Sequence, residues 1–190
     1  MSAQTQSLTL EEYLHYDHEE DNRYQLVAGE LVEMPPESPI NLQIALFVLT
    51  QFLQFIPISQ LSNKTEIVVS GVRATTRIPD LMVLTDELVA AMKEINRATI
   101  TLDMPPPLLV VEVVSSGKSN RDRDYRYKRS EYAARGISEY WIVDPEEAQV
   151  MVLTLVTGLY EERCFKGEEK IQSSIFPALD LRVEQIFQNP

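Results

Sequence analysis

A single carboxylate interrupts an otherwise apolar stretch of the chain, PLLVVEVVS from 107 to 115. Six of these nine residues are Leu or Val, a composition that predicts a strand in the centre of a sheet. Desolvating an unpaired carboxylate costs several kcal/mol or more, so glutamates are rarely buried alone. Glu112 therefore needs a partner charge, a bound metal or a chemical role, and the rest of the chain has to indicate which.

Helix and strand patterns follow one another along the chain. Thr9 and Glu12 have the spacing of a capping box, Gly29 suits a tight hairpin turn, and Gly136 suits the end of a helix. The predicted elements, by residue number, are a helix from 10 to about 16, a hairpin over 23–34, a helix over 41–55, strands over 66–70, 72–78 and 79–84, a helix opening at 85, a strand over 107–115, a helix over 121–135, a strand over 139–144, two or three strands around 157–158 and 166–167, and a helix over 183–187.

This order predicts a mixed α/β (α+β) fold with a central mixed sheet flanked by helices. The strand at 107–115, the helix at 121–135 and the strand at 139–144 form a plausible parallel crossover, which we expect to be right-handed. We find no repeat, low-complexity tract or linker-like shift in composition, and 190 residues suffice for one domain with a substantial core. We therefore expect a single domain over 1–190.

The charge is unevenly distributed along the chain. A net charge of -12 argues against a general nucleic-acid binder, because such proteins gain affinity by neutralising phosphates. However, the segment 118–129, KSNRDRDYRYKR, holds six of the 17 Lys and Arg residues, opposed only by Asp122 and Asp124. It predicts either a local nucleic-acid-binding surface or an ordinary solvated helix face, and the charge pattern alone does not distinguish the two.

The compartment follows from what the chain lacks. Its apolar runs are shorter than the roughly 18 residues that span a bilayer, and the N-terminus has no basic-then-apolar signal pattern. Cys164 is the only cysteine, which excludes an intrachain disulfide and a cysteine cluster for zinc. We expect a cytoplasmic protein without a membrane partner.

Two acids fall on strands that we expect to be neighbours in the sheet. Asp80 follows Pro79 at the start of one strand, and Glu112 lies inside the next long strand. Carboxylates this close would repel each other, and one of them would be protonated. A bound Mg²⁺ or Mn²⁺ would relieve both problems, since hard divalent cations favour carboxylate oxygens.

A lysine completes a set of groups that can hydrolyse a phosphodiester. Lys128 shares a helical face with Tyr125 and Tyr132, which directs it toward the packed side of its helix. A metal polarises phosphoryl oxygens and lowers the pKa of bound water, and a lysine can orient that water and stabilise the charge that develops on the phosphoryl group. The spacing suggests this chemistry without being specific for it.

Each of these residues also has a structural interpretation. Glu112 can pair with a lysine or accept hydrogen bonds from backbone N–H groups. Asp80 follows a proline, and aspartate is common in turns at such a position. Lys128 has an i,i+4 partner in Asp124, and exposed pairs of this kind contribute only about 0.3–0.5 kcal/mol. The combination of two acids and a lysine in this order favours the functional interpretation.

Three segments carry a resemblance to a known family: RYQLVAGELVEMPPESP, RIPDLMVL and LLVVEVVSSGKSNRDRDYRYKRSEYAARGISEYWIVDP. They resemble the Uma-type "putative restriction endonuclease" family, a branch of the PD-(D/E)XK nuclease superfamily, from about 9 to 155. The resemblance implies a restriction-endonuclease-like core and metal-dependent nuclease chemistry. It matches the family's PD to Pro79-Asp80 and its (D/E) to Glu112, which implies that both acids bind the metal.

The lysine of the PD-(D/E)XK motif is missing from its usual position in this sequence. The residue two places after Glu112 is Val114, where a lysine is expected. Relatives of this type carry the lysine on the following helix, in a D-x-x-x-K-x-x-x-Y pattern that reads Asp124, Lys128 and Tyr132 here. The resemblance therefore implies that Lys128 is the catalytic lysine.

Three further positions differ from relatives. The hairpin usually reads Tyr-Glu-Leu but has Gln25, its turn has Ala28 where Asp or Asn is common, and the following helix has Asn41 near a frequent histidine. Gln25 and Asn41 are therefore candidate auxiliary residues. If the missing acid or histidine assists the metal or the substrate, this copy is weak or inactive.

We therefore expect an endonuclease, dependent on Mg²⁺ or Mn²⁺, that hydrolyses DNA phosphodiester bonds. Asp80 and Glu112 would bind the metal and Lys128 would act on the attacking water. A homodimer is expected because cutting both strands of a duplex favours two-fold symmetry. The side chains expected to contact the DNA backbone are Arg121, Arg123 and Arg126.

Two other functions stay open at this stage. A catalytically inactive protein could keep the fold as a binding or interaction module, which the acidic balance and the changes at Gln25 and Asn41 favour. An antitoxin-like or scaffold protein that binds a basic partner is suggested only by the net charge of -12. Retention of both acids and the lysine favours the nuclease.

Overall fold

Helices and strands alternate along most of the chain. The computed structural model describes residues 7–16, 24–71 and 73–188. In chain order the elements are α1 (Leu10–Leu14), β1 (Tyr24–Val27), β2 (Glu30–Glu33), α2 (Pro39–Phe52), a 3₁₀ turn (Ile58–Gln60), β3 (Leu61–Ser62), β4 (Glu66–Ser70), β5 (Thr75–Arg77), β6 (Leu81–Val83), α3 (Asp86–Met92), β7 (Thr99–Ile100), β8 (Leu109–Val113), α4 (Lys118–Asp122), a π-helical segment (Arg123–Lys128), α5 (Arg129–Arg135), β9 (Glu139–Asp144), β10 (Gln149–Val156), β11 (Leu159–Lys166) and α6 (Val183–Gln188).

A mixed sheet forms the centre of the described chain, with its six strands in the order β11-β10-β9-β8-β6-β3. β8 and β9 are parallel, with Glu112 paired to Ile142, and the other neighbouring strands are antiparallel. The predicted mixed α/β fold with a central mixed sheet is confirmed. The parallel pairing of the strands on either side of the helix at 118–135 is confirmed as well.

Helices cover both faces of β8, whose residues are all buried. On one face Val111 belongs to a core built with α2 and α6, and on the other Val110 belongs to a core that contains Tyr132 of α5. Burial on both faces explains the continuous run of Leu and Val. Because alternate residues of a strand point to opposite faces, Glu112 points to the face that α5 covers.

Local signals predicted several boundaries correctly. The hydroxyl of Thr9 accepts a hydrogen bond from the backbone of Glu12, whose carboxylate accepts one from the backbone of Thr9, so the capping box at α1 is confirmed. Gly29 has a φ of +87° in the turn between β1 and β2, and Gly136 adopts the left-handed conformation where α5 ends. Glycine is favoured at both positions because it has no Cβ to clash.

Other boundaries differ from the prediction. The helix expected over 121–135 begins at Lys118, and α2 ends at Phe52 rather than Phe55. β3 and β7 were missed because each has two residues and depends on pairing with a strand distant in sequence. Positions 23 and 72, which belong to predicted strands, lie outside the described residues.

None of the helices in the described ranges is long and apolar enough to cross a bilayer.

Candidate active site

Glu112 is buried with both of its oxygens bonded to side chains of the helix that crosses the sheet. Only 3% of the residue is exposed. Lys128 Nζ lies 2.8 Å from Oε2, and the hydroxyl of Tyr132 donates a 2.5 Å hydrogen bond to Oε1. The carboxylate in the apolar strand therefore has a partner charge, supplied from 16 residues further along the chain.

Lys128 is buried between two carboxylates. Its Nζ lies 2.8 Å from Asp124 Oδ1 as well as 2.8 Å from Glu112. The i,i+4 pair with Asp124 exists, but only 8% of the lysine side chain and 2% of the aspartate side chain are exposed. The interpretation of Lys128 as part of a solvated surface pair is therefore wrong. Burial alone would lower the pKa of Lys128, but the two carboxylates outweigh it and raise that pKa.

The helix that carries Lys128 widens into a π-helical segment at Arg123–Lys128. Such segments are rare and are frequent at functional sites. Asp124, Lys128 and Tyr132 are buried against the sheet, whereas the hydroxyl of Tyr125 donates to Asp144. Tyr125 is partly buried against the core that contains Tyr132, so the predicted packed face is confirmed, and Asp124 is the buried polar partner of Lys128 one turn earlier.

Asp80 lies directly before β6, beside Glu112. Leu81 of β6 pairs with Val111 of the antiparallel β8, so continuing the register by one residue sets Asp80 opposite Glu112. Asp80 Oδ2 accepts a 2.7 Å hydrogen bond from the backbone N–H of Val113. The expectation that the two acids lie on neighbouring strands is confirmed.

The two carboxyl groups are hard to ionise together. Burial, followed by the negative charge of Glu112, raises the pKa of Asp80 to about 8, although the Val113 N–H and Lys128 act against the shift. Burial also raises the pKa of Glu112, opposed by Lys128. A cation between or beside the two groups would oppose both pKa shifts, because it favours the ionised carboxylates.

The metal-free protein should lose stability as the pH rises from about 4 to about 8. In this window the folded protein keeps the proton of Asp80, while an unfolded aspartate, with a pKa of about 3.9, releases it. One such group lowers the free energy of unfolding by up to about 1.4 kcal/mol per pH unit. Urea unfolding between about pH 5 and pH 8 should give a steeper slope for the wild type than for Asp80→Asn. Equal slopes would mean that Asp80 ionises at its ordinary pKa.

A cleft brings most of the predicted residues together. Asp80, Glu112 and Lys128 line it, and so do Gln25 and Arg123. Sequence reasoning did not assign a site role to four other polar residues of its wall, which are Glu37, Ser115, Asn120 and Asp124. For Asp124 the available signal was its place in the D-x-x-x-K-x-x-x-Y pattern, whereas the other three carry no local signal.

The two auxiliary candidates bind backbone oxygens. The side-chain amide of Gln25 donates to the carbonyl of Thr76 at 2.6 Å. The side-chain amide of Asn41 donates to the carbonyl of Val113 at 3.4 Å and to the hydroxyl of Ser115 at 3.3 Å. Asn41 therefore links the first turns of α2 to the backbone that follows Glu112.

The three arginine candidates have different surroundings. Arg123 lines the cleft, with its Nε 3.5 Å from Asp124 Oδ1. Arg121 is bound to the buried Asp144 at the end of β9. Arg126 is exposed, and its closest acid is Asp122 at 3.9 Å, as expected for a surface i,i+4 pair.

The chemistry of the cleft fits a hard divalent cation. In the described part of the chain, Asp80 Oδ1 has no hydrogen-bond partner, and the facing acid is Glu112. The described residues contain no group of three or more His, Cys, Asp or Glu side chains placed to hold a metal. Mg²⁺ commonly binds through one or two carboxylates and keeps several waters, so two acids are a sufficient protein contribution.

The fold is a mixed α/β fold in which two acids and a lysine line one cleft. The sequence matches the family model Uma2, described as "Putative restriction endonuclease", over residues 10–184. Because this match covers most of the chain, the protein belongs to that family, and the resemblance noted in the sequence is confirmed. Membership of this family supports nuclease activity as the general class of function.

A solved structure shares the fold. It is described as "a putative nuclease belonging to DUF820 from Anabaena variabilis ATCC 29413" and superposes with a TM-score of 0.72. The alignment covers 95% of this chain and 98% of the other, at 14% sequence identity. At this identity the similarity concerns the fold alone. A search of curated proteins found no match.

Proposed function

We propose that the protein is a metal-dependent endonuclease that hydrolyses DNA phosphodiester bonds. The observation that carries the proposal is the meeting of Asp80, Glu112 and Lys128 in one cleft, with Lys128 2.8 Å from Glu112. Two acids from adjacent strands and a cation from the crossing helix provide the groups that phosphodiester hydrolysis requires.

Each residue has a separate role in this proposal. Asp80 and Glu112 would hold Mg²⁺ or Mn²⁺, which when bound polarises a phosphoryl oxygen and lowers the pKa of water. Lys128 donates hydrogen bonds to the attacking water and stabilises the negative charge that develops on the phosphoryl oxygens. Arg123, at the wall of the cleft, binds the DNA backbone.

Metal binding tests the proposal directly. Titration calorimetry with Mn²⁺ should detect binding to the wild type, and Glu112→Gln and Asp80→Asn should each abolish it. Asn and Gln keep the side-chain volume, so lost binding reports the lost charge. A wild type that does not bind, beside variants that fold as well or better, would contradict the proposal.

One observation favours a second function. Both oxygens of Glu112 are already bonded within the chain, and the acid common in relatives is replaced by Gln25. These features suit an inactive member that keeps the fold as an interaction module. The calorimetry separates the two functions, because an interaction module has no need of the metal.

We also propose that the protein is a homodimer. The segment 38–63 contains no charged residue, Ile40 and Leu46 are exposed on α2, and Leu53 is exposed directly after it. Two copies that each carry a charge of -12 repel each other least through an uncharged surface. Leu46→Glu should halve the mass measured by light scattering after gel filtration, whereas Leu159→Glu, at the exposed first residue of β11, should not. Equal masses for all three proteins would contradict this interface.

A further inference from the structure

The cation of Lys128 occupies the position of a counterion. Its Nζ is 2.8 Å from an oxygen of Glu112 and 2.8 Å from an oxygen of Asp124. The exposed fractions of the three side chains are 8%, 4% and 2%, for the lysine, Glu112 and Asp124. Since Tyr132 bonds the second oxygen of Glu112, neither oxygen of this acid is available without a rearrangement.

A buried carboxylate that already has a cationic partner cannot gain a second one at no cost. Breaking a buried ion pair costs several kcal/mol unless a new charge replaces the lost one. A divalent cation at Glu112 supplies that charge, so the lysine and the metal are alternatives for the same oxygen. A displaced lysine then needs another anion nearby.

Asp124 is such an anion. It precedes Lys128 by four residues on the same helix, and the π-helical segment contains both residues. The hydroxyl of Tyr140 donates to the backbone carbonyl of Asp124, which fixes this turn against the sheet. Because no group of three potential metal ligands exists among the described residues, Asp124 is better placed to bind the lysine than to join a metal site.

We propose that Lys128 is a built-in counterion that competes with the metal for Glu112, and that Asp124 is the positioning residue that retains the lysine at the cleft after displacement. The inference rests on the proposed metal-dependent function and adds how the charge of Glu112 is balanced before the metal arrives. It also explains how one lysine can act in the site both without and with the metal. The ammonium that the metal displaces from Glu112 stays anchored at the wall of the cleft.

Mn²⁺ affinity measured by calorimetry tests the competition. Lys128→Met removes the charge and keeps most of the length, and its Kd should be about tenfold lower than that of the wild type, equivalent to about 1.4 kcal/mol. Arg126→Met is the matched control, because it removes one positive charge from the same helix at an exposed position. Its Kd should change less than about twofold. Equal changes in the two variants, or weaker binding by Lys128→Met, would overturn the competition.

Asp124→Asn tests the positioning role. With Asp124 neutral, the lysine depends on Glu112 alone, so the Kd for Mn²⁺ should rise about fivefold. In the double variant with Lys128→Met the effect of Asp124→Asn should disappear, because there is no lysine left to retain. If Asp124 binds the metal itself, the substitution weakens binding in both backgrounds, and the positioning role is refuted.

The outcomes also separate this inference from the proposed function. Binding by Lys128→Met but not by the wild type would support the counterion and contradict the proposed metal-dependent function of the wild type. Absence of binding in every variant, with Mn²⁺ leaving each melting temperature unchanged, would refute both. Binding by the wild type that Lys128→Met leaves unchanged would refute the counterion alone. Melting temperatures measured with and without Mn²⁺ also show whether each variant is folded.

Discussion

Glu112→Gln should lower the rate of DNA cleavage by at least about 10²-fold while leaving the protein folded. The amide keeps the shape of the side chain but removes the charge that would hold the metal. Lys128 keeps its second partner, Asp124, and burial raises the pKa of Glu112, so ionising this acid costs more in the folded protein than in the unfolded chain. The variant should therefore be as stable as the wild type or more so. Plasmid cleavage with Mg²⁺ and urea unfolding without metal are the two measurements.

A second buried glutamate provides the control. Glu139 lies on the neighbouring strand β9, and its oxygens accept hydrogen bonds from the indole of Trp141 and from Ser173 and Ser174. Glu139→Gln places an amide N–H₂ against these donors, so it should cost about 1–3 kcal/mol of stability. Cleavage below its melting temperature should persist. If both variants keep their activity, Glu112 is a structural residue like Glu139.

Lys128→Ala should impair both activity and folding. Removing this lysine leaves the buried carboxylates of Glu112 and Asp124 without their shared cation, which typically costs about 3–5 kcal/mol when a buried pair is broken. Loss of a donor that stabilises the transition state should lower the cleavage rate by about 10²–10³-fold. Urea unfolding and plasmid cleavage measure the two effects separately.

The matched control for this variant is Lys166→Ala. Lys166 is exposed on β11 and does not line the cleft. Its substitution removes the same charge and should change the free energy of unfolding by less than about 0.5 kcal/mol. A Lys128→Ala protein as stable as this control would mean that the lysine is solvated in solution. Unchanged cleavage would remove it from the proposed catalytic set.

The position of the lysine shows why a short motif is an incomplete guide to this site. Val114, which stands where the short motif has lysine, is buried in the core shared with Tyr132. Lys128 instead contacts the carboxylate of Glu112 from the helix that crosses the sheet. The proposed chemistry depends on where the ammonium lies in space, so a different element of the fold can supply it.

Local patterns in the sequence determined the elements that frame the site. The apolar run of β8 predicted a strand covered on both faces, the capping box predicted the start of α1, and Gly136 predicted the end of α5. These features were predictable because each depends on φ, on spacing or on alternation within a few residues. The same reasoning predicted that Asp80 and Glu112 lie on neighbouring strands, which the pairing of β6 with β8 confirms.

Only the tertiary structure decided which side chains meet. Sequence spacing described Lys128 and Asp124 as an i,i+4 pair, but packing of their helix against β8 decided that the pair is buried and includes Glu112. The binding of Arg121 to Asp144, and of Asn41 to the backbone after Glu112, likewise joins elements far apart in the chain. Spacing restricts a residue to one face of its own element, whereas its partners depend on how separate elements pack.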